Sequence, residues 1–267
     1  MQIVPELQSS FPGLRVVELK MEGLEVKKSD RALESFKRVV QERVRQRIAS
    51  LTEVKDRPVF RAYRDFFWRV GIDPTKVRPA GEALTRRILG GRDLPTVNTV
   101  VDAYNIASVE TSIAIAAFDL GTIEEESLVM RRAVKGEPFH GIGMVSPDSL
   151  TGVEVVIEDQ ESHRLIAVYP YRDSDDSKVT ERTDGVLFMM CGVPGIDDTT
   201  LGTARDLTRE YVGRFCLGRP LSRQIPDAGS QATAGVPSHH SLYDSFDALP
   251  SPALHGVTSP SVVMNHV

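Results

Sequence analysis

The apolar residues of this chain change period near Glu110, and that change restricts the fold more than any single motif. Before it, Leu33, Phe36, Val40, Val44, Ile48 and Leu51 recur at spacings of three and four, which predicts one long helix over 31–54. Ser29 or Asp30 supplies its N-cap. Arg57-Pro58 breaks the pattern, and a second helix is expected over 59–70, with Phe60, Tyr63, Phe67 and Val70 inward and Gly71 as C-cap. A third starts near Pro79, where proline suits a first turn, and stops at Gly90-Gly91. A fourth covers about 97–108. After Glu110 the period shortens: Ile113, Ile115 and Phe118 alternate, and strands are expected at 128–131, 153–157, 165–169 and 185–191. One or two short strands also fit 13–26, with Glu22-Gly23 as a turn. A last helix is expected over 200–215, where Asp197 and Asp198 favour its positive N-terminus. Helices early and strands late predict an α+β fold, with N-terminal helices packed on a mixed or mainly antiparallel β-sheet and a C-terminal helix.

Past Pro220 the composition shifts to Ser, Pro, Ala, Gly and His, with neither Lys nor Glu from Leu221 onward. The expectation is one domain over 1–220 and a disordered low-complexity tail over 221–267. Four of the six histidines fall in that tail, where catalytic geometry is hard to hold.

Charge is unevenly spread. Residues 31–92 carry 16 Lys and Arg against 7 Asp and Glu, a net of +9, whereas 93–220 carry 11 against 22, a net of −11. Such asymmetry suits a nucleic-acid footprint, and equally suits solvated helix faces in a domain whose halves attract each other. No run of 18 apolar residues exists, so no membrane span is expected. The start, Met1 to Phe11, lacks the basic and apolar regions of a signal peptide. Two cysteines, Cys191 and Cys216, fit reduced, buried thiols in a cytoplasmic protein.

Several chemistries find no support in the residues. His140 and His163 stand without a neighbouring Cys or second His, so neither a metal nor a cofactor is expected. No glycine-rich phosphate loop and no Gly-x-Ser-x-Gly elbow occur. Cys191, between Met190 and Gly192 in an apolar run, reads as core rather than nucleophile. What remains is a polar set on helices. Glu82 and Arg86 lie four apart and can pair on one face. Asn98, Asp102 and Asn105, spaced four and three, share a face and with Arg86 or Arg87 could fix an amino-acid-like ligand or an RNA end. The competing reading is local: Asn98 starts a helix and Asp102 caps a neighbouring element.

Val100-Val101-Asp102-Ala103-Tyr104-Asn105 and Ala117-Phe118-Asp119-Leu120 carry a family resemblance, supported in order by Arg131 to Glu137, by Asp159 and by Ser174 to Thr183. Over roughly 59–217 the chain resembles the B3/B4 tRNA-binding and editing module of the bacterial-type phenylalanyl-tRNA synthetase beta subunit. Nothing resembles that enzyme's catalytic domain, so the resemblance implies a free-standing module and not a synthetase. It implies tRNA or aminoacyl-tRNA as partner, and a trans-acting editing deacylase as activity. The family's His before Ala-Phe-Asp is Ala116 here, which leaves the hydrolytic role open. On this reading Arg61, Arg64, Arg69, Arg78, Arg86 and Arg87 would contact phosphates. Glu82, Asn98, Asp102, Asn105 and Asp119 would line the pocket. Tyr63 and Trp68 could stack a base, but their helical spacing favours the core. The alternative is a protein that binds an amino acid or similar metabolite without RNA.

Overall fold

The computed structural model describes residues 1–217, and the tail expected from residue 221 lies outside them. The chain opens with a short strand β1 (Gln2–Ile3), helix α1 (Pro5–Ser10) and strand β2 (Arg15–Glu22). Five helices follow: α2 (Arg31–Arg47), α3 (Leu51–Val54), α4 (Pro58–Arg69), α5 (Ala80–Leu89) and α6 (Thr99–Thr111). The β-rich part then runs β3 (Ile115–Asp119), β4 (Leu128–Arg132), β5 (Pro138–Phe139), β6 (Asp148–Ser149), β7 (Val155–Asp159), β8 (Arg164–Val168), β9 (Arg172–Asp173) and β10 (Gly185–Gly192), before helix α7 (Asp198–Cys216).

Local signals explain most boundaries. Asp30 caps α2 by accepting from the Leu33 N–H at 2.9 Å. The stripe Leu33, Val40 and Val44 is buried. The helix expected over 31–54 is two helices: the chain turns extended at Ile48 and Ser50, which sends Ile48 and Val54 into the core. The Arg47 guanidinium binds the Val109 and Glu110 carbonyls near the end of α6, tying this break to the neighbouring helix. Gly71, at φ +75°, follows the end of α4. Gly90 and Gly91 close α5 by taking the Arg86 and Ile88 carbonyls. α6 runs three residues beyond the expected stop, because Ser112 adopts a left-handed conformation and Ser108 reaches the Ile113 carbonyl.

The strands form two main sheets. One has the order β1-β4-β7-β8-β9, with β1 parallel to β4 and the other pairs antiparallel. The other has the order β2-β10-β3, fully antiparallel. β5 and β6 make a small separate hairpin. β10 is buried along its whole length, as its continuous apolar run Val186 to Cys191 demands of a central strand. α7 packs on β2 and β10, and α6 packs on α7 and on β3. Tyr63 of α4 pins the far end: its hydroxyl donates to the Cys191 carbonyl and accepts from the Ala114 N–H at 3.0 Å. β3 is left as an edge of its sheet, and its free side meets β9, the edge of the other. This seam between two sheet edges positions the site considered next.

Candidate functional site

Glu82 stands on α5 with no exposure to solvent. Arg64 reaches both of its oxygens, at 3.3 and 3.2 Å, and Arg86 reaches one at 2.7 Å. Arg64 also donates to the Pro74 carbonyl, so it ties the turn before α5 to the same carboxylate. Two charge-assisted contacts compensate a carboxylate withdrawn from water. The Glu82–Arg86 pairing follows from their spacing of four; Arg64 joins from another helix, which spacing alone does not show.

Asn98 is the N-cap of α6, accepting from the Val101 N–H and donating to the Val179 carbonyl. Asp102 is buried, and accepts from the Val97 N–H and from Lys37 at 2.9 Å. Burial pushes its pKa up, against those two donors. Lys37 itself is 2 % exposed and also reaches Glu34, the Pro95 carbonyl and Thr96. Three of these contacts, to Pro95, Thr96 and Asp102, tie α2 to α6 and the chain that leads into it. Asp119 closes the turn after β3, accepting from the Gly121 N–H and from Thr183 at 2.6 Å. The side chains of the expected pocket residues Glu82, Asn98, Asp102 and Asp119 therefore share no hydrogen-bond partner with one another. Asn105, half-buried on α6, has no side-chain hydrogen bond among the described residues.

The six arginines divide as sharply. Arg64 and Arg86 hold Glu82. Arg69 donates to the Ser10 carbonyl at 2.6 Å and lies over the Phe11 ring. Arg87 donates to the Asp93 carbonyl. Arg61 is exposed, 3.9 Å from Asp56, and Arg78 is exposed with no ion pair among the described residues. Tyr63 is in the core as expected, but Trp68 is 57 % exposed. Phe60, Tyr63, Phe66 and Phe67 fill the inward arc of α4, and Trp68 falls just past its edge.

Sequence reasoning passed over Asp173. It pairs with Ala167 in the β8–β9 ladder, and its backbone carbonyl accepts from Ile142. Its strand, β9, meets the free edge of β3. Asp173 is only partly exposed, and no Lys or Arg pairs with it among the described residues. Burial raises its pKa from 3.8 to about 7, against a smaller opposing effect of the Ala117 backbone N–H. Burial likewise pushes the Cys191 thiol and the Tyr104 phenol up, so both stay neutral and Cys191 is no nucleophile. Ala116 is the residue before that donor on β3. In sequence, Asp173 is one of several acidic residues in a polar run, and only the meeting of β9 with β3 singles it out.

A concavity of about 320 Å³ lies near β5 and β8. It brings together His140 and His163, which the sequence separates, with Arg164, Ser174 and Asp176. Among the described residues no three metal-ligating side chains cluster, and no helix is long and apolar enough to cross a membrane.

Residues 62–215 match the family described as the B3/4 domain. Over 186 residues the chain is 25% identical to the phenylalanine–tRNA ligase beta subunit of Symbiobacterium thermophilum, a match that covers 67% of this chain and 20% of that protein. It thus spans about a fifth of that relative's length. Among solved structures, an N-terminal fragment of the phenylalanyl-tRNA synthetase beta-subunit from Pyrococcus horikoshii aligns with 80% of this chain and 48% of its own, at 14% identity and a TM-score of 0.42. With more than half of its length matched, the chain belongs to the B3/4 domain family.

Proposed function

We propose that this chain is a tRNA-binding module that receives the aminoacyl end of tRNA and hydrolyses mischarged aminoacyl esters in trans, in the cytoplasm. The observation that carries this reading is the family match over 62–215, which includes α4 to α7 and every strand from β3 to β10. The seam between β3 and β9 supports it. Ala116, at the position where the resemblance to the synthetase module implies a histidine near the editing pocket, lies on β3, which meets β9 at this seam. The exposed guanidinium groups of Arg61 and Arg78 are the phosphate contacts of this reading, and exposed Trp68 is its stacking surface.

One observation favours a second reading, a pocket for a free amino acid without RNA. Arg64, Arg69, Arg86 and Arg87 each bind a group inside the fold, which leaves fewer cations for a phosphate track. The two readings separate in one experiment. The purified chain is mixed with charged and uncharged bulk tRNA at low and moderate salt while release of the amino acid is followed. Salt-sensitive binding with faster deacylation is expected. Binding without release removes the hydrolase, and no binding at either salt leaves the amino-acid pocket.

A further inference from the structure

β2 is an edge strand, and its outward side is unused. The Leu120 N–H donates to the Gly185 carbonyl, and the Cys191 N–H to the Ala114 carbonyl. The odd-numbered residues of β10 thus turn their backbone groups to β3, and the even-numbered ones turn theirs to β2. In the β2–β10 register those even residues oppose Arg15, Val17, Leu19 and Met21. The N–H and C=O groups of Val16, Glu18, Lys20 and Glu22 therefore point off the edge of the sheet. Among the described residues none of these groups has a hydrogen-bond partner. Glu18, Lys20 and Glu22 are exposed, and Val16 is half-buried. The other sheet edges are short or covered: β1 and β9 have two residues each, and β3 meets β9. β2 runs for eight residues without Pro or Gly and keeps an unbroken register with β10, so it lacks the devices that commonly blunt an edge.

The residues of β2 say which strand fits beside it. Two copies of β2 laid antiparallel must pair even residues with even ones, since only those offer free backbone groups. The symmetric register centred on Leu19 does this for all of them: Val16 opposes Glu22 of the second copy, and Glu18 opposes Lys20 of the second copy. Two-fold symmetry makes each pair occur twice. Opposite charges at directly opposed positions are a favourable cross-strand pair. On the other face Val17 meets Met21, and Leu19 meets its own copy on the axis. Val17 and Met21 are half-buried apolar side chains that such a neighbour would cover further. Sliding the strands by two residues one way opposes Glu18 to Glu18, and the other way opposes Lys20 to Lys20 and Glu18 to Glu22. Like charges directly opposed are destabilising, so the charge pattern selects the register centred on Leu19. Within one copy Glu18 lies 3.0 Å from the N-terminal ammonium of Met1, and Lys20 pairs with Glu125. The second Glu18 oxygen and the further N–H groups of Lys20 remain for the partner.

We propose that the free edge of β2 is the interface for a second copy of this chain, joined antiparallel about Leu19 into a sheet of order β3-β10-β2-β2-β10-β3. The contact is isologous and closed, and it leaves no β2 edge open. A single strand pair is a small interface, so the two copies associate and separate with concentration. This goes beyond the RNA reading and does not depend on it. The seam at β3 lies on the other side of β10 and stays open in the pair.

The test is sedimentation of the intact chain, without RNA or amino acid, from about 1 µM to about 1 mM, a span suited to a small interface. The mass is expected to rise from one chain to two. Lys20→Glu opposes glutamates at both Glu18 pairs, and Glu18→Lys opposes lysines there. Each variant alone is expected to weaken the pair at least about tenfold. An equal mixture of the two variants opposes lysines to glutamates again and is expected to associate like the wild type. Thermal transitions check that each variant folds. If one does not, the other single variant and the double variant Glu18→Lys with Lys20→Glu, which also restores opposite charges, decide the matter. The proposal is overturned if the wild type stays a single chain at about 1 mM, if a folded single variant pairs as tightly as the wild type, or if the mixture of folded variants does not associate. Because tRNA binding is measured separately, either reading can fail alone.

Discussion

Glu82 and Asp173 are both carboxylates withdrawn from water, on opposite sides of the period change in the sequence. Glu82 sits between two helices and holds two guanidinium groups. Asp173 lies on β9, where two sheet edges meet, and pairs with no Lys or Arg among the described residues. The helical region has matched its buried charges internally, so its polar residues are parts of the scaffold. The strand seam has left one carboxylate without a cation, and burial there raises its pKa. The lesson is that burial of a polar residue does not itself point to function; what matters is whether the fold has already supplied its partner.

The sharpest way to break this comparison is Glu82→Ala. It strands Arg64 and Arg86 at the α4–α5 junction, and a loss of about 3–5 kcal/mol in unfolding free energy is expected from denaturant titration. A loss below 1 kcal/mol would mean the cluster is solvated and not structural. Asp159→Asn comes next. Burial opposes the charge, but hydrogen bonds led by Ser127 outweigh it and hold the pKa at about 2, below the ordinary 3.8. A depressed folded pKa gives stability that is present above about pH 4 and lost as pH falls toward about 2. The variant should be destabilised by about 2 kcal/mol near neutrality, with the gap closing in acid.

Asp173→Asn should behave in the opposite sense. Its folded pKa is raised, so the wild-type chain loses stability as pH rises from about 4 through about 7. Relative to wild type, the variant should gain on the order of 5 °C in Tm near pH 8 and nothing near pH 4. Equal Tm curves at all pH values would mean the carboxylate is ordinarily hydrated. The smallest effect on stability belongs to Arg61→Ala and Arg78→Ala, exposed positions where a change within about 0.5 kcal/mol is expected. If these residues touch phosphates, the pair of substitutions should lower the salt slope of tRNA binding by roughly 1–2.

Much of the helical region was legible because its signals are local. Asp30, Gly71, Gly90-Gly91 and Asn98 stop or start helices through groups a few residues away. The break after Arg47 was not legible, since the apolar stripe runs on to Leu51 while the turn depends on contacts with α6. Trp68 was misplaced for a related reason: spacing tells which residues share an arc, not how wide an arc the core covers. Asn98 and Asp102 could be read as ligands or as caps; Asn98 caps α6, while Asp102 accepts from the Val97 N–H and from Lys37. The site itself was hidden in the strands. β10 pairs with β2 across more than 160 residues of chain and with β3 across about 70, and β9 meets β3 only after both sheets exist. No window of sequence contains the partners that make Asp173 different from Asp175 or Asp176.

The most direct measurement is a carbon-13 NMR titration of the Asp173 and Asp159 side-chain carboxyls, assigned with Asp173→Asn and Asp159→Asn. The account predicts a midpoint of about 7 for Asp173, where burial disfavours the charge, and of about 2 for Asp159, where hydrogen bonds favour it. Midpoints for both near the ordinary 3.8 would contradict it.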